Sequence, residues 1–236
     1  ANEATPTKPN ILWIIMDDVG AELPCYGKSK IQTPNIDRLV REGTRFDKAF
    51  LTASVCSPSR SAMITGMYQT TIGAHHHRSG QGESKIRLPD GVEPVNAIFQ
   101  RAGYFTCNAG DPSRAGKNGK TDYNFEWNHG TYDGNDWSER NAGQPFFAQI
   151  QLWGGKHRND NGRWYREVAP KKLGTLTKPE DVTLPPYYPR VPAFLDDWAQ
   201  YLDCIRFSDK QVGDILARLE REGILDQTII ILMGDN

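Results

Sequence analysis

Cys56-Ser57-Pro58-Ser59-Arg60, running on to Thr65-Gly66, brings a nucleophilic side chain and a guanidinium into one short segment. A proline two residues after the cysteine fits the first turn of a helix, where its missing N–H costs nothing. The Cys56 side chain then sits at a helix N-terminus, beside backbone N–H groups and Arg60, a place suited to an anion. Two readings of an unmodified cysteine fit this pattern. One is a buried thiol, as many cysteines outside disulfides are. The other is a thiolate nucleophile, its pKa lowered by the helix end and Arg60.

Two apolar runs end in oxygen-rich pairs. Asn10–Met16 leads into Asp17-Asp18, and residues 228–233 lead through Gly234 into Asp235-Asn236. In open α/β sheets, ligands bind beyond the carboxyl ends of the strands. Neighbouring strand ends can therefore bring three carboxylates and one amide oxygen to one point. An all-oxygen set suits a hard ion, Ca²⁺ or Mg²⁺, and carboxylates that close repel without a cation between them. Taken singly, each pair also reads as a turn former.

Other loops carry further candidates. Lys120 follows Gly119 and precedes Thr121-Asp122-Tyr123; it reads as a site lysine or as a solvated one. His157 lies in Trp153-Gly154-Gly155-Lys156-His157-Arg158, just after an apolar run. A histidine in a glycine-bearing turn at a strand end suits a general acid; the other reading is an exposed loop histidine. His75-His76-His77 is a poor zinc site, because adjacent residues point in different directions. A solvated patch, or one histidine lining a pocket, fits it better.

The elements that must hold these residues alternate. Strands are expected at Asn10–Met16, 44–49, 104–107, 145–152 and 228–233, the first and last with the length and composition of buried strands. Helices are expected at 33–43, after Cys56, at 92–103 with Val95, Ile98, Phe99 and Ala102 inward, and at 194–222. Residues 154–192 are rich in proline and charge and are expected to be an excursion outside the core. The class is α/β, with a largely parallel mixed sheet flanked by helices.

The Cys56 segment resembles the C-x-P-S-R…T-G signature of the type I, formylglycine-dependent sulfatases of the alkaline-phosphatase-like superfamily. Residues 9–20 resemble the family's P-N-I-L…D-D-x-G opening, and residues 228–236 its T…D-N strand. Gly103-Tyr104-Phe105-Thr106 matches G-Y-x-T, and Gly119-Lys120 the start of G-K-W-H. Asp122 stands where the histidine is expected, and the stretch before it allows the alignment to slip to Lys117.

The resemblance implies an alkaline-phosphatase-like fold and a Cys56 converted to formylglycine by a formylglycine-generating enzyme. Asp17, Asp18, Asp235 and Asn236, with an oxygen on residue 56, would bind calcium, or less readily magnesium. The hydrated aldehyde attacks sulfur, Arg60 orients it, and Lys120 neutralises the sulfuryl oxygens. His157 protonates the leaving group, with Lys156 as a further sulfate contact. The implied substrate is a sulfated carbohydrate, in polysaccharide degradation. The alternatives are a phosphonate or phosphate ester hydrolase on the same scaffold, and an inactive truncated fragment.

The bulk numbers bound the rest. The chain has 236 residues and a formal net charge of −1, so bulk charge makes no case for nucleic acid. No apolar run approaches a membrane span. There are four cysteines; with Cys56 consumed, three remain, which allows at most one internal disulfide. Residues 1–9 read as the tail of a mature chain after a removed signal peptide, hence a periplasmic or secreted protein. Residues 10–236 read as the N-terminal portion of a catalytic domain, truncated and without its C-terminal subdomain.

Overall fold

The computed structural model describes residues 8–112, 118–159 and 162–236. Most of the expected tail and Lys117 lie outside them. The chain divides into two compact units. One comprises Ala1–Ile15, Leu51–Gln151 and Glu222–Asp235; the other comprises Met16–Phe50, Leu152–Arg221 and Asn236.

The first unit carries a four-stranded sheet of β1 (Asn10–Met16), β2 (Phe105–Ala109), β3 (Phe146–Leu152) and β4 (Thr228–Gly234), in the order β2-β3-β1-β4. β2 and β3 are parallel, with Phe105 opposite Phe146 and Ala109 opposite Ile150. The Asn10 side chain ties the starts of three strands together. Its Oδ1 accepts from Phe146 N at 3.2 Å, and its Nδ2 donates to Thr228 Oγ1 at 3.4 Å. All seven residues of β3 are buried. An interior strand covered on both faces has no need of polar alternation.

β4 corrects the reading of 228–233 as a buried strand. Among the described residues it is an edge strand, and Ile229 and Ile231 are 50% and 43% exposed. The expected strand at 44–49 is absent: that segment is exposed and has no place in the sheet.

Among the described residues this unit has two α-helices, α2 (Cys56–Thr65) and α3 (Val95–Arg101). α3 starts later than expected, after Pro94, and its buried positions are Asn96 and Ala97. Ile98 is 48% exposed. Asn96 Nδ2 donates to Thr131 O at 3.1 Å and Thr131 Oγ1 at 2.8 Å. An amide whose Nδ2 is bonded twice, not the longest apolar stripe, faces inward. Ile64 of α2 packs with Ile72, Ala74, Tyr123 and Phe125.

The second unit holds α1 (Pro34–Glu42), α4 (Arg163–Glu167), α5 (Ala169–Leu173) and the long α6 (Pro192–Arg221). Asp209 of α6 caps α1, accepting from Asn35 N at 3.0 Å and Ile36 N at 2.8 Å. The 154–192 excursion is not coreless as expected: Trp164 and Ala169 pack with Cys204 and Phe207 of α6. A tryptophan and small apolar residues within a charged segment were enough to anchor it. Among the described residues no helix is long and apolar enough to cross a membrane.

Candidate functional site

In the first unit α2 begins at Cys56, after an extended Val55, and ends at Gly66 with φ of 64°. Residues 56–62 are all buried. Arg60, one turn beyond Cys56, is the centre of a network. Its Nε donates to Asp235 Oδ2 at 2.6 Å, with side chains only 2% and 0% exposed. Its Nη1 donates to Gln151 Oε1 at 2.5 Å and to Lys120 O at 3.1 Å.

The network then turns back on itself. Gln151 Nε2 donates to Asn108 Oδ1 at 3.0 Å, and Asn108 Nδ2 donates to Gly119 O at 2.8 Å. Gly119 N returns a bond to Asn108 O at 3.0 Å. A Cβ on Gly119 would stand 2.3 Å from Asn108 Oδ1, so this approach admits only glycine. The backbone before and at Lys120 is fixed from two sides.

Lys120 Nζ lies 3.5 Å from Asp122 Oδ2. Asp122 adopts φ of 54°, in the left-handed region that Asp tolerates better than most residues. It accepts from Arg78 Nε at 2.8 Å, Arg78 Nη2 at 3.0 Å and Gln81 Nε2 at 3.1 Å. Burial pushes its carboxyl up. The hydrogen bonds from Arg78 and Gln81 and the charge of Lys120 outweigh burial and hold it below its ordinary value.

In the second unit Asp17 continues β1 and donates its N–H to Leu152 O at 3.0 Å. Gly155 N donates to Asp17 O at 2.9 Å. A Cβ on Gly154 would lie 2.3 Å from Asp17 O, and one on Gly155 2.2 Å from Asp18 O. The two glycines let the backbones touch, and that contact delivers the next residue: Lys156 Nζ sits 2.9 Å from Asp17 Oδ1 and 3.8 Å from Asp18 Oδ1. His157 lies among aromatic rings. Its ring stacks on Trp164 at 4.5 Å and meets Phe207 edge-on at 5.4 Å. Farther along the same loop as Asp17, Gly20 N donates to the Tyr201 hydroxyl, which donates to Glu22 Oε2.

Arg60, Lys120 and Asp235 thus share one network, and Lys156 joins Asp17 and Asp18. His157 is enclosed by aromatic rings. His75, His76 and His77 are exposed, and among the described residues they join no group of metal-ligating side chains. Sequence reasoning missed Gln151, Asn108, Arg78 and Gln81. The one available signal was polar: Gln149 and Gln151 interrupt the apolar run of β3, and a buried strand keeps amides only where they are bonded.

A sequence profile described as Sulfatase matches residues 9–236. The chain belongs to the sulfatase family. It is 31% identical to an ulvan-active sulfatase of Formosa agariphila over 98% of this chain and 44% of that protein. It is 26% identical to human N-sulphoglucosamine sulphohydrolase, over 96% of this chain and 50% of that one. The chain thus spans about half the length of these relatives. A solved phosphonate monoester hydrolase of Agrobacterium radiobacter superposes with a TM-score of 0.70 at 16% identity, covering 97% of this chain and 62% of that one. The fold is the α/β, alkaline-phosphatase-like one that the resemblance implied, with a parallel sheet flanked by helices.

Proposed function

We propose that this chain carries the nucleophile and metal ligands of a hydrolase that removes sulfate from a sulfated carbohydrate. The observation that carries the reading is the start of α2: Cys56 is buried at its first residue, and Arg60 one turn on is bonded to Asp235. The named relatives supply the substrate class: one acts on ulvan, another is an N-acetylgalactosamine-6-O-sulfatase of Bacteroides thetaiotaomicron.

The donors suit a hard cation. In this reading Asp17, Asp18 and Asp235 supply carboxylates and Asn236 an amide oxygen. Carboxylate and amide oxygens select calcium over softer metals. Calcium bound there would supply a Lewis acid that acidifies a hydroxyl and offsets developing negative charge. Cys56 enters this reading as formylglycine, whose hydrate would supply the attacking hydroxyl.

The chain's own residues do the rest. Arg60, rigid in its ion pair, fixes the orientation of residue 56 at the helix start. Lys120 and Lys156 offer ammonium groups to sulfuryl oxygens. Lys156 sits on Asp17 and Asp18 and would yield those carboxylates to the ion. His157 is the proton donor to the leaving oxygen or nitrogen, and its stacking on Trp164 fixes the ring plane. Conversion by a formylglycine-generating enzyme and a periplasmic or secreted location complete the reading.

Turnover decides it. Sulfate monoesters of aryl alcohols and of amino sugars should be hydrolysed, and chelation of calcium should abolish the activity. A phosphonate monoester turned over faster than every sulfate ester would move the assignment to the phosphonate hydrolases.

A further inference from the structure

Asp122 occupies a position where the family pattern has a histidine, and its surroundings are built around a carboxylate. Its side chain is 6% exposed and takes three hydrogen bonds from Arg78 and Gln81. Both partners come from a loop some 40 residues earlier, and Asn124 fastens that loop in place. Asn124 is fully buried; its Nδ2 donates to His76 O at 2.6 Å and Ser79 Oγ at 3.1 Å, and its Oδ1 accepts from Gly80 N at 2.8 Å. Asn124 N donates to Ser61 Oγ on α2 at 2.8 Å. A Cβ on Gly80 would strike Asn124 O at 2.6 Å, so loop and segment are in contact. Arg78 and Gln81 are therefore carried to Asp122 on a scaffold tied to the helix that begins at Cys56. Lys120 is held at its carbonyl by Arg60 and faces Asp122 at its ammonium.

We propose that Asp122 is a positioning residue: its carboxylate, clamped by Arg78 and Gln81, fixes where the Lys120 ammonium stands and so where a sulfuryl oxygen is received. The inference rests on the reading of Lys120 as a sulfate contact. Arg78 takes up charge that would otherwise draw Lys120 wholly onto Asp122, leaving the ammonium at 3.5 Å, within reach of a second anion.

The test uses the calcium-loaded, formylglycine-bearing protein and inorganic sulfate as binding probe. Asp122→Asn should weaken sulfate binding in calorimetry and lower kcat/KM for an aryl sulfate, each by about 10-fold or more, the loss expected of a misplaced group. Asp122→Glu should recover part of both. In a Lys120→Ala background, Asp122→Asn should cause no further loss, because the residue acts through the lysine. An unchanged sulfate affinity and kcat/KM in Asp122→Asn would overturn the inference, as would an equal added loss in the Lys120→Ala background. If the unsubstituted protein hydrolyses no sulfate ester, the proposed function falls. The calorimetric arm then decides: sulfate bound and weakened by Asp122→Asn sustains the inference, and no sulfate bound ends it.

Discussion

The Arg60 network and the Lys156 network both join cations to acids, but they are built differently. Arg60 is buried with Asp235, and its Nη1 makes directed bonds to a side-chain and a backbone oxygen. Lys156 is a fifth exposed, reaches Asp17 as a single ammonium, and owes its position to two glycines. A planar guanidinium with several bonds cannot shift without breaking them; a lysine on a flexible stem can. The first network reads as fixed architecture, the second as a cation that can give way to another.

Substitutions that attack this contrast should separate widely. Arg60→Ala removes the guanidinium bonded to the buried Asp235 carboxylate, and should cost about 3–5 kcal/mol of folding stability in chemical denaturation. If it cost no more than Lys156→Met, the contrast would be wrong. Gly155→Ala drives a Cβ to 2.2 Å from Asp18 O, where backbone must move. It should cost about 1–3 kcal/mol and weaken calcium binding measured by calorimetry. Lys156→Met should change stability by only about 0–1 kcal/mol, as partly exposed pairs do. It should also tighten calcium binding, because the competing ammonium is gone.

The smallest effect sharpens the picture through pH. Asp122 is held below its ordinary value of 3.8, so its ionised form stabilises the folded state. That contribution is complete above 3.8 and disappears as pH falls through the lowered value. The stability gap between the unsubstituted protein and Asp122→Asn, followed by denaturation against pH, should therefore be constant near neutrality and close in acid. A gap that widened in acid would reverse the sign of the argument.

The sequence made some of this plain and hid the rest for physical reasons. Cys56, Pro58 and Arg60 lie within one helical turn of each other, so their spacing alone implied a helix start. Asp17 and Asp235 directly follow apolar strands, so their place at strand ends was visible in the hydropathy. The partners of Asp122 were not visible, because Arg78 lies 44 residues away and pairing across a loop leaves no local period. The edge position of β4 was hidden for a similar reason: its composition is that of a buried strand, and only the order of the described strands puts it at an edge. The 154–192 segment misled by composition, since its prolines and charges masked the few apolar residues that anchor it.

Mass spectrometry of the peptide that spans Cys56, taken from protein that hydrolyses a sulfate ester, tests the account most directly. An aldehyde at position 56 is the predicted result. An intact thiol there, in protein that still hydrolyses the ester, would contradict it.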